Sequence, residues 1–321
     1  MSEISLRKRI ENAVYIDNNF LAISDGPDTH YDEHSQEMTD VEMLDIILSG
    51  KKNVQSKFVS DSWKEDHLEG VIGYKVKAIA EFVNPPYEDH PRNYRIKAFS
   101  ANYPIEEDEN HIGIGFIKNP DTGKIAEYAS DDIKFVIKTD RNAELGFYMH
   151  TAYPDIENNK DVIKTNRNLS SILKQTKSYK NASPMEKAYM EYQISPDEPE
   201  SLSSLYLISD SSHQNDAIVI KQKTKNPNIE RMIKIRQSTS SVQFRNKSTK
   251  EIIPMKVNDK DRKTLPLEKC MRKIKETSPK TADVIDKIRH TINEYRYEKI
   301  ISDSKYLNNN VPNNNGHDGF E

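Results

Sequence analysis

The chain has a single cysteine in 321 residues, Cys270, so it has neither an internal disulfide nor a cysteine-based zinc site. Between Lys269 and Met271 on a predicted helix, that thiol reads as structural. No apolar run approaches the roughly 20 residues that a membrane-spanning helix needs. The opening Met1-Ser2-Glu3-Ile4-Ser5-Leu6-Arg7-Lys8-Arg9 has no apolar stretch after its charges and does not read as a secretory signal. A reducing, cytoplasmic compartment without a membrane partner is therefore expected. Walker, kinase and nucleophile-elbow signatures are absent. Gly113-x-Gly115 lacks the third glycine and the following helix of a dinucleotide fingerprint, so no nucleotide cofactor is expected, nor any other.

Charge is plentiful and unevenly spread. Residues 1–160 carry −12 and residues 161–321 carry +8, which together give the net −4. Eight of the ten glycines precede Phe147, and none lies between Gly146 and Gly316. This break in composition predicts a first domain over 1–158, a basic accessory or binding domain over 159–306 and a disordered tail over 307–321, where Asn-rich sequence has nothing to bury.

The apolar spacing predicts an α+β fold, with N-terminal helices packed on an antiparallel β-meander and a second mixed α+β region after it. Residues 1–38 give weak signals. Thr39 and Glu42 form a capping box ahead of Val41, Leu44, Ile47 and Leu48, and Gly50 suits the left-handed position after the helix. Leu68, Val71, Ile72, Val76, Ile79 and Val83 stripe a helix over 64–83. Gly70 and Gly73 weaken its first turns, which predicts a start near Gly73 with His67 in the preceding turn, and Asn84-Pro85-Pro86 ends it. Strands are expected over 94–99, 111–118, 125–128, 133–138 and 146–153, with Asn119-Pro120-Asp121-Thr122-Gly123 as a hairpin turn. Strands over 205–208, 217–220, 232–235 and 242–244 and helices over 184–192, 265–274 and 281–301 follow.

Period 2 in the strand ending at Pro154 puts Phe147, Met149, Thr151 and Tyr153 on one face and Tyr148, His150 and Ala152 on the other. Thr151 and Tyr153 would stand about 7 Å apart, and His150 is set aside unless a bulge intervenes. Metal-free RNA cleavage needs a base, an acid and a cation or hydrogen-bond donors for the phosphate, and histidine suits the proton steps.

The run Gly146-Phe147-Tyr148-Met149-His150-Thr151-Ala152-Tyr153-Pro154 resembles the closing strand of bacterial RNase toxins found at the ends of contact-dependent inhibition and polymorphic toxins. These are the RNase A-like group and its barnase/EndoU/colicin/RelE-type relatives. Ile133-Lys134-Phe135-Val136-Ile137-Lys138-Thr139-Asp140 is similar to the strand before it, and Asp66-His67-Leu68-Glu69-Gly70 resembles the family's helix-proximal histidine. The resemblance covers about residues 60–155. It implies an endoribonuclease toxin acting on tRNA or mRNA by 2′-hydroxyl attack, with His67 as base, Thr151 and Tyr153 at the phosphate, and Lys75 or Lys77 in place of the family's basic residue. It also implies an immunity protein or antitoxin as partner. His111 at the start of the Gly113-x-Gly115 strand is a second acid/base candidate, as in EndoU-like enzymes, and the two glycines on its face would allow close approach of a ligand backbone. With no delivery domain ahead of the core, the chain reads as a stand-alone toxin, a phage-defence nuclease or cargo loaded by another machine.

His30 and His34, four apart, have the spacing of metal ligands on a helix, but no helical stripe surrounds them and no metal site is expected. Lys234, Arg236 and Arg245 lie in or beside predicted strands and form a candidate RNA-binding face. The alternative is a non-enzymatic nucleic-acid- or protein-binding regulatory protein built on the same α+β platform.

Overall fold

A computed structural model of the chain describes residues 5–15, 26, 28–83, 95–102, 111–140, 142–157, 163–165, 167–196, 202–209 and 216–309. The segments expected at Asn84–Pro86 and at Tyr94, and residues 310–321 of the tail, lie outside them. The described chain is α+β and forms two compact units. The first comprises Met1–Asn119 and Ile125–Ser178, and the second Pro120–Lys124 and Tyr179–Glu321. The division falls beyond residue 158, because residues 163–178 join the first unit.

In the first unit, helix α1 (Leu6–Tyr15) and a single 3-10 turn (Tyr31–His34) precede helix α2 (Asp40–Leu48). The capping box of Thr39 and Glu42 forms, and Gly50 takes φ +75° beyond the helix, where a side chain would be strained. Strand β1 (Val54–Phe58) leads into helix α3 (Asp61–Val83). The helix starts twelve residues before Gly73, with His67, Gly70 and Gly73 all inside it. Each interior glycine costs roughly 1 kcal/mol, whereas burying a Val or Ile contributes about 1.5–3 kcal/mol, and Val71, Ile72, Val76, Ile79 and Val83 are all buried.

Six strands follow: β2 (Ile96–Asn102), β3 (Gly113–Lys118), β4 (Ile125–Ser130), β5 (Asp132–Thr139), β6 (Phe147–Pro154) and β7 (Ile163–Lys164). They divide between two antiparallel sheets, β1-β3-β4-β7 and β2-β5-β6. The core stripe of α3 packs with Phe99 of β2, with Ile133, Phe135 and Ile137 of β5, and with Phe147, Met149 and Ala152 of β6. Phe99 and Phe135 stack at 5.4 Å between ring centres. Helix α3 therefore backs one face of the β2-β5-β6 sheet. Helix α4 (Ser170–Gln175) closes the unit, and the division falls within helix α5 (Lys177–Asn181).

The glycines of β3 do not make room for a ligand. A Cβ on Gly115 would lie 2.4 Å from the Gln55 carbonyl oxygen and 2.7 Å from Ile156 Cδ1, and one on Gly113 would lie 2.0 Å from the Pro154 ring. They let β3 pass close to β1 and to the end of β6. Gly115→Ala is expected to cost about 2–3 kcal/mol, as overpacked interiors do, read as a fall in the urea midpoint. An unchanged midpoint would contradict this packing.

The second unit holds helix α6 (Pro184–Ile194), capped by Ser183 and Glu186, and strands β8 (Leu202–Ile208), β9 (Ala217–Lys223), β10 (Ile229–Ile235), β11 (Ser240–Asn246) and β12 (Ile252–Ile253) in one antiparallel sheet. β13 (Met255–Val257) pairs with β14 (Lys260–Arg262), and β15 (Leu265–Pro266) pairs with β11. Helices α7 (Leu267–Thr277) and α8 (Pro279–Asn309) pack with α6 on the sheet through Met185, Ile220, Ile233, Val242, Ile274 and Ile288. The hairpin turn joins this unit through Lys124. Its buried ammonium donates to the Tyr192 and Ser195 carbonyls at 2.7 and 3.0 Å, at the C-terminus of α6 where a cation is favoured.

Candidate active site

Strand β6 does not keep simple alternation. Its ladder with β5 pairs Ile137 with Met149 and then Val136 with Thr151, so His150 is the extra residue of a β-bulge. Phe147, Met149 and Ala152 face the core cluster, which leaves Tyr148, His150, Thr151 and Tyr153 on the opposite face. Their cross-strand partners bring Lys138 and Lys134 to that face, opposite Tyr148 and Tyr153. The alternation expected for this strand thus fails at His150, which joins Thr151 and Tyr153 instead of being set aside.

Residue 26 and residues from 28 to 34 lie along this face. Gly26 sits so close to Tyr148 that a Cβ there would be 2.0 Å from the ring. His30 N–H donates to the His150 carbonyl at 2.7 Å, and Thr29 Oγ1 donates to the Met149 carbonyl at 3.2 Å. The 3-10 turn then sends His30 and His34 apart, since residues four apart in such a turn point roughly 120° away from each other. His30 meets the His150 ring edge-on at 5.0 Å, and His34 meets Tyr153 at 5.1 Å. Among the described residues, no group of three or more His, Cys, Asp or Glu is placed to hold a metal ion.

His34 has a defined tautomer. Its Nδ1 lies 2.6 Å from the Ser56 carbonyl, which can only accept, so Nδ1 carries the proton and Nε2 has the lone pair when the ring is neutral. Burial lowers its pKa below 6.5, against the raising effect of that hydrogen bond, and favours the neutral form. Among the described residues His150 Nδ1 makes no hydrogen bond, and it lies 3.5 Å from Asp28 Oδ1. Asp28 is held at a pKa of about 2, first by its hydrogen bond from Lys138 and then by that from Tyr148. Its folded value lies below the unfolded one, so the stability it contributes is present above pH 3.8 and is lost as pH falls through 2. Solvent screens this half-exposed carboxylate and keeps that contribution small. Lys134 lies 5.9 Å over the Tyr153 ring, and no carboxylate pairs with it among the described residues.

The other expected residues are on other elements of the chain. Lys75 and Lys77 are on α3, whose core stripe packs behind the sheet, and Lys77 pairs with Glu81 at the solvent-facing side. His67 is on the same helix, and its side chain lies outside the described residues. His111 Nδ1 lies 2.9 Å from Asp131 at the turn between β4 and β5. In the second unit, Lys234 and Arg245 share the sheet face turned away from the helices, but Arg245 is held by Glu230 at 2.6 Å, and Arg236 lies exposed just past β10.

No family model and no curated protein matches the chain. Among solved structures, the crystal structure of a CdiA-CT/CdiI complex from Y. kristensenii 33638 is similar over 38% of this chain and 95% of that chain, at 19% identity and a TM-score of 0.29. Similarity at this level does not make the chain a member of that protein's family.

Proposed function

We propose that the chain is a metal-independent endoribonuclease toxin that cleaves tRNA or mRNA by 2′-hydroxyl attack. The observation that carries this reading is the bulge at His150, which turns His150 to the sheet face of Thr151, Tyr153 and Lys134, where His34 lies against Tyr153. His34 Nε2 takes the 2′-hydroxyl proton, and the 2′-oxygen attacks the adjacent phosphorus. The bond from phosphorus to the 5′-oxygen breaks as His150 protonates that oxygen, leaving a 2′,3′-cyclic phosphate and a 5′-hydroxyl. Lys134 and the Thr151 and Tyr153 hydroxyls hold the charge that develops on the phosphate. Asp28 lies beside His150 Nδ1, at 3.5 Å. This gives the base to His34 in place of His67, and His111 serves Asp131. An immunity protein or antitoxin belongs to this reading as the partner that protects a producing cell.

Purified protein incubated with total RNA in EDTA is expected to degrade it, and Thr151→Ala to slow cleavage about tenfold, the value of a hydrogen bond to a charged group. RNA that stays intact, or cleavage lost in His67→Ala and kept in His34→Ala, overturns the assignment. The lowered pKa of His34 sets a further expectation. The base must be neutral, so kcat/KM is expected to fall on the acid side with a midpoint below pH 6.5. An acid limb centred above pH 6.5 would contradict it.

A second reading, a non-enzymatic binding regulator, is favoured by two neutralised cations: Lys138 is paired with Asp28 and Arg245 with Glu230. Growth arrest on expression, relieved by His34→Ala, separates the nuclease from the binding module.

A further inference from the structure

The second unit has a cleft that the nuclease reading does not use. It has a volume of 480 Å³ and lies between β10, β11, β13 and α7. Its apolar walls include Phe244, Met255, Val257 and Leu265. Four cations line it, Arg231, Lys256, Lys269 and Lys273, and no acidic residue does. Lys269 and Lys273 stand one turn apart on the same face of α7.

Arg231 is the unusual member. By strand alternation it shares the inward face of β10 with Ile233 and Ile235, so a guanidinium points to the apolar side of the sheet. It donates to the Gln222 side-chain oxygen at 2.8 Å and lies 5.4 Å over the Phe244 ring. No carboxylate pairs with it or with the three lysines among the described residues. Burial works against its charge and lowers its pKa. A half-buried arginine without an anion is costly, and a planar guanidinium matches a carboxylate or phosphate in two-pronged geometry.

We propose that this cleft binds a small amphiphilic anion, with its phosphate or carboxylate on Arg231, Lys269 and Lys273 and its alkyl or aromatic body against Phe244, Met255 and Val257. The cleft is of small-molecule size, and binding sites of roughly 300–1,000 Å³ bury most of such a ligand. The absence of acidic lining excludes a cationic amphiphile by repulsion. The proposal stands independently of the nuclease chemistry in the first unit.

The test is calorimetric titration of the full chain with decyl phosphate and with decanoate, each below its micelle concentration, against decanol and inorganic phosphate. Saturable one-to-one binding of at least one of the two anions is expected, and the stronger one identifies the head group. Decanol and inorganic phosphate should bind at least about tenfold more weakly, because each lacks one half of the interaction. Arg231→Met, which keeps an apolar side chain of similar length, should weaken binding about tenfold. The exposed pair Lys269→Ala and Lys273→Ala should weaken it severalfold without altering the thermal midpoint, which guards against a folding defect in the arginine variant. Decanol binding as tightly as the anions, affinity unchanged in both variants, or no saturable binding overturns the proposal. Binding of an acidic amphipathic peptide with none of either small anion also overturns it.

Discussion

His34→Ala is expected to lower RNA cleavage about 10³-fold, within the range for loss of a positioned general base. His34 is the residue in which geometry and electrostatics agree on a role. The Ser56 carbonyl fixes the proton on Nδ1, burial favours the neutral ring, and Tyr153 lies beside it. Removing the ring also removes a hydrogen bond to a backbone carbonyl, which costs about 1 kcal/mol of stability. His34→Gln separates the two effects, since its amide can still donate to Ser56 but has no basic nitrogen. Both variants should be nearly inactive, and the glutamine variant should melt closer to the wild type. A glutamine variant that cleaves RNA at more than about a tenth of the wild-type rate would remove His34 from the mechanism.

Deleting residue 150 is the second large effect. The bulge exists because two residues of β6, His150 and Thr151, fit where the partner strand supplies one position. Without His150, Met149 joins directly to Thr151 and ordinary alternation returns. Met149 and Ala152 still face inward, and Tyr148, Thr151 and Tyr153 still face outward. The core cluster keeps every apolar side chain it has now. The shortened chain is therefore expected to fold, with cleavage down about 10²- to 10³-fold because the proposed acid is missing. His150→Ala keeps the bulge and should lose activity to a similar extent, which separates loss of the imidazole from straightening of the strand. If the deletion unfolds the protein while His150→Ala stays active, the bulge is structural and the acid lies elsewhere.

Local sequence carried the elements whose cause is local. The Thr39 and Glu42 capping box, the left-handed Gly50 and the outward Lys134 and Lys138 of β5 all follow from neighbours within a few positions. The start of α3 did not, because the penalty of Gly70 and Gly73 is local while the burial that offsets it is tertiary. The bulge depends on the register of β5 against β6. One trace of it is visible in the sequence, since the apolar Met149 and Ala152 are three apart and cannot both face a core under strict period 2. His34 belongs to a polar stretch with no stripe of its own. Bonds from that stretch to the Ser56, Met149 and His150 carbonyls hold it on the sheet, two of them about 120 positions away in the chain.

This face is proposed to drive attack by a 2′-hydroxyl without a metal. The direct measurement uses a DNA oligonucleotide with one ribonucleotide, incubated with the full chain in EDTA, followed by analysis of the product ends. A single cut on the 3′ side of the ribonucleotide is expected, with a 2′,3′-cyclic phosphate on one fragment, a 5′-hydroxyl on the other, and no cut when that nucleotide is 2′-deoxy. Cleavage of the all-DNA strand, or a fragment bearing a 3′-hydroxyl and a 5′-phosphate, would contradict it.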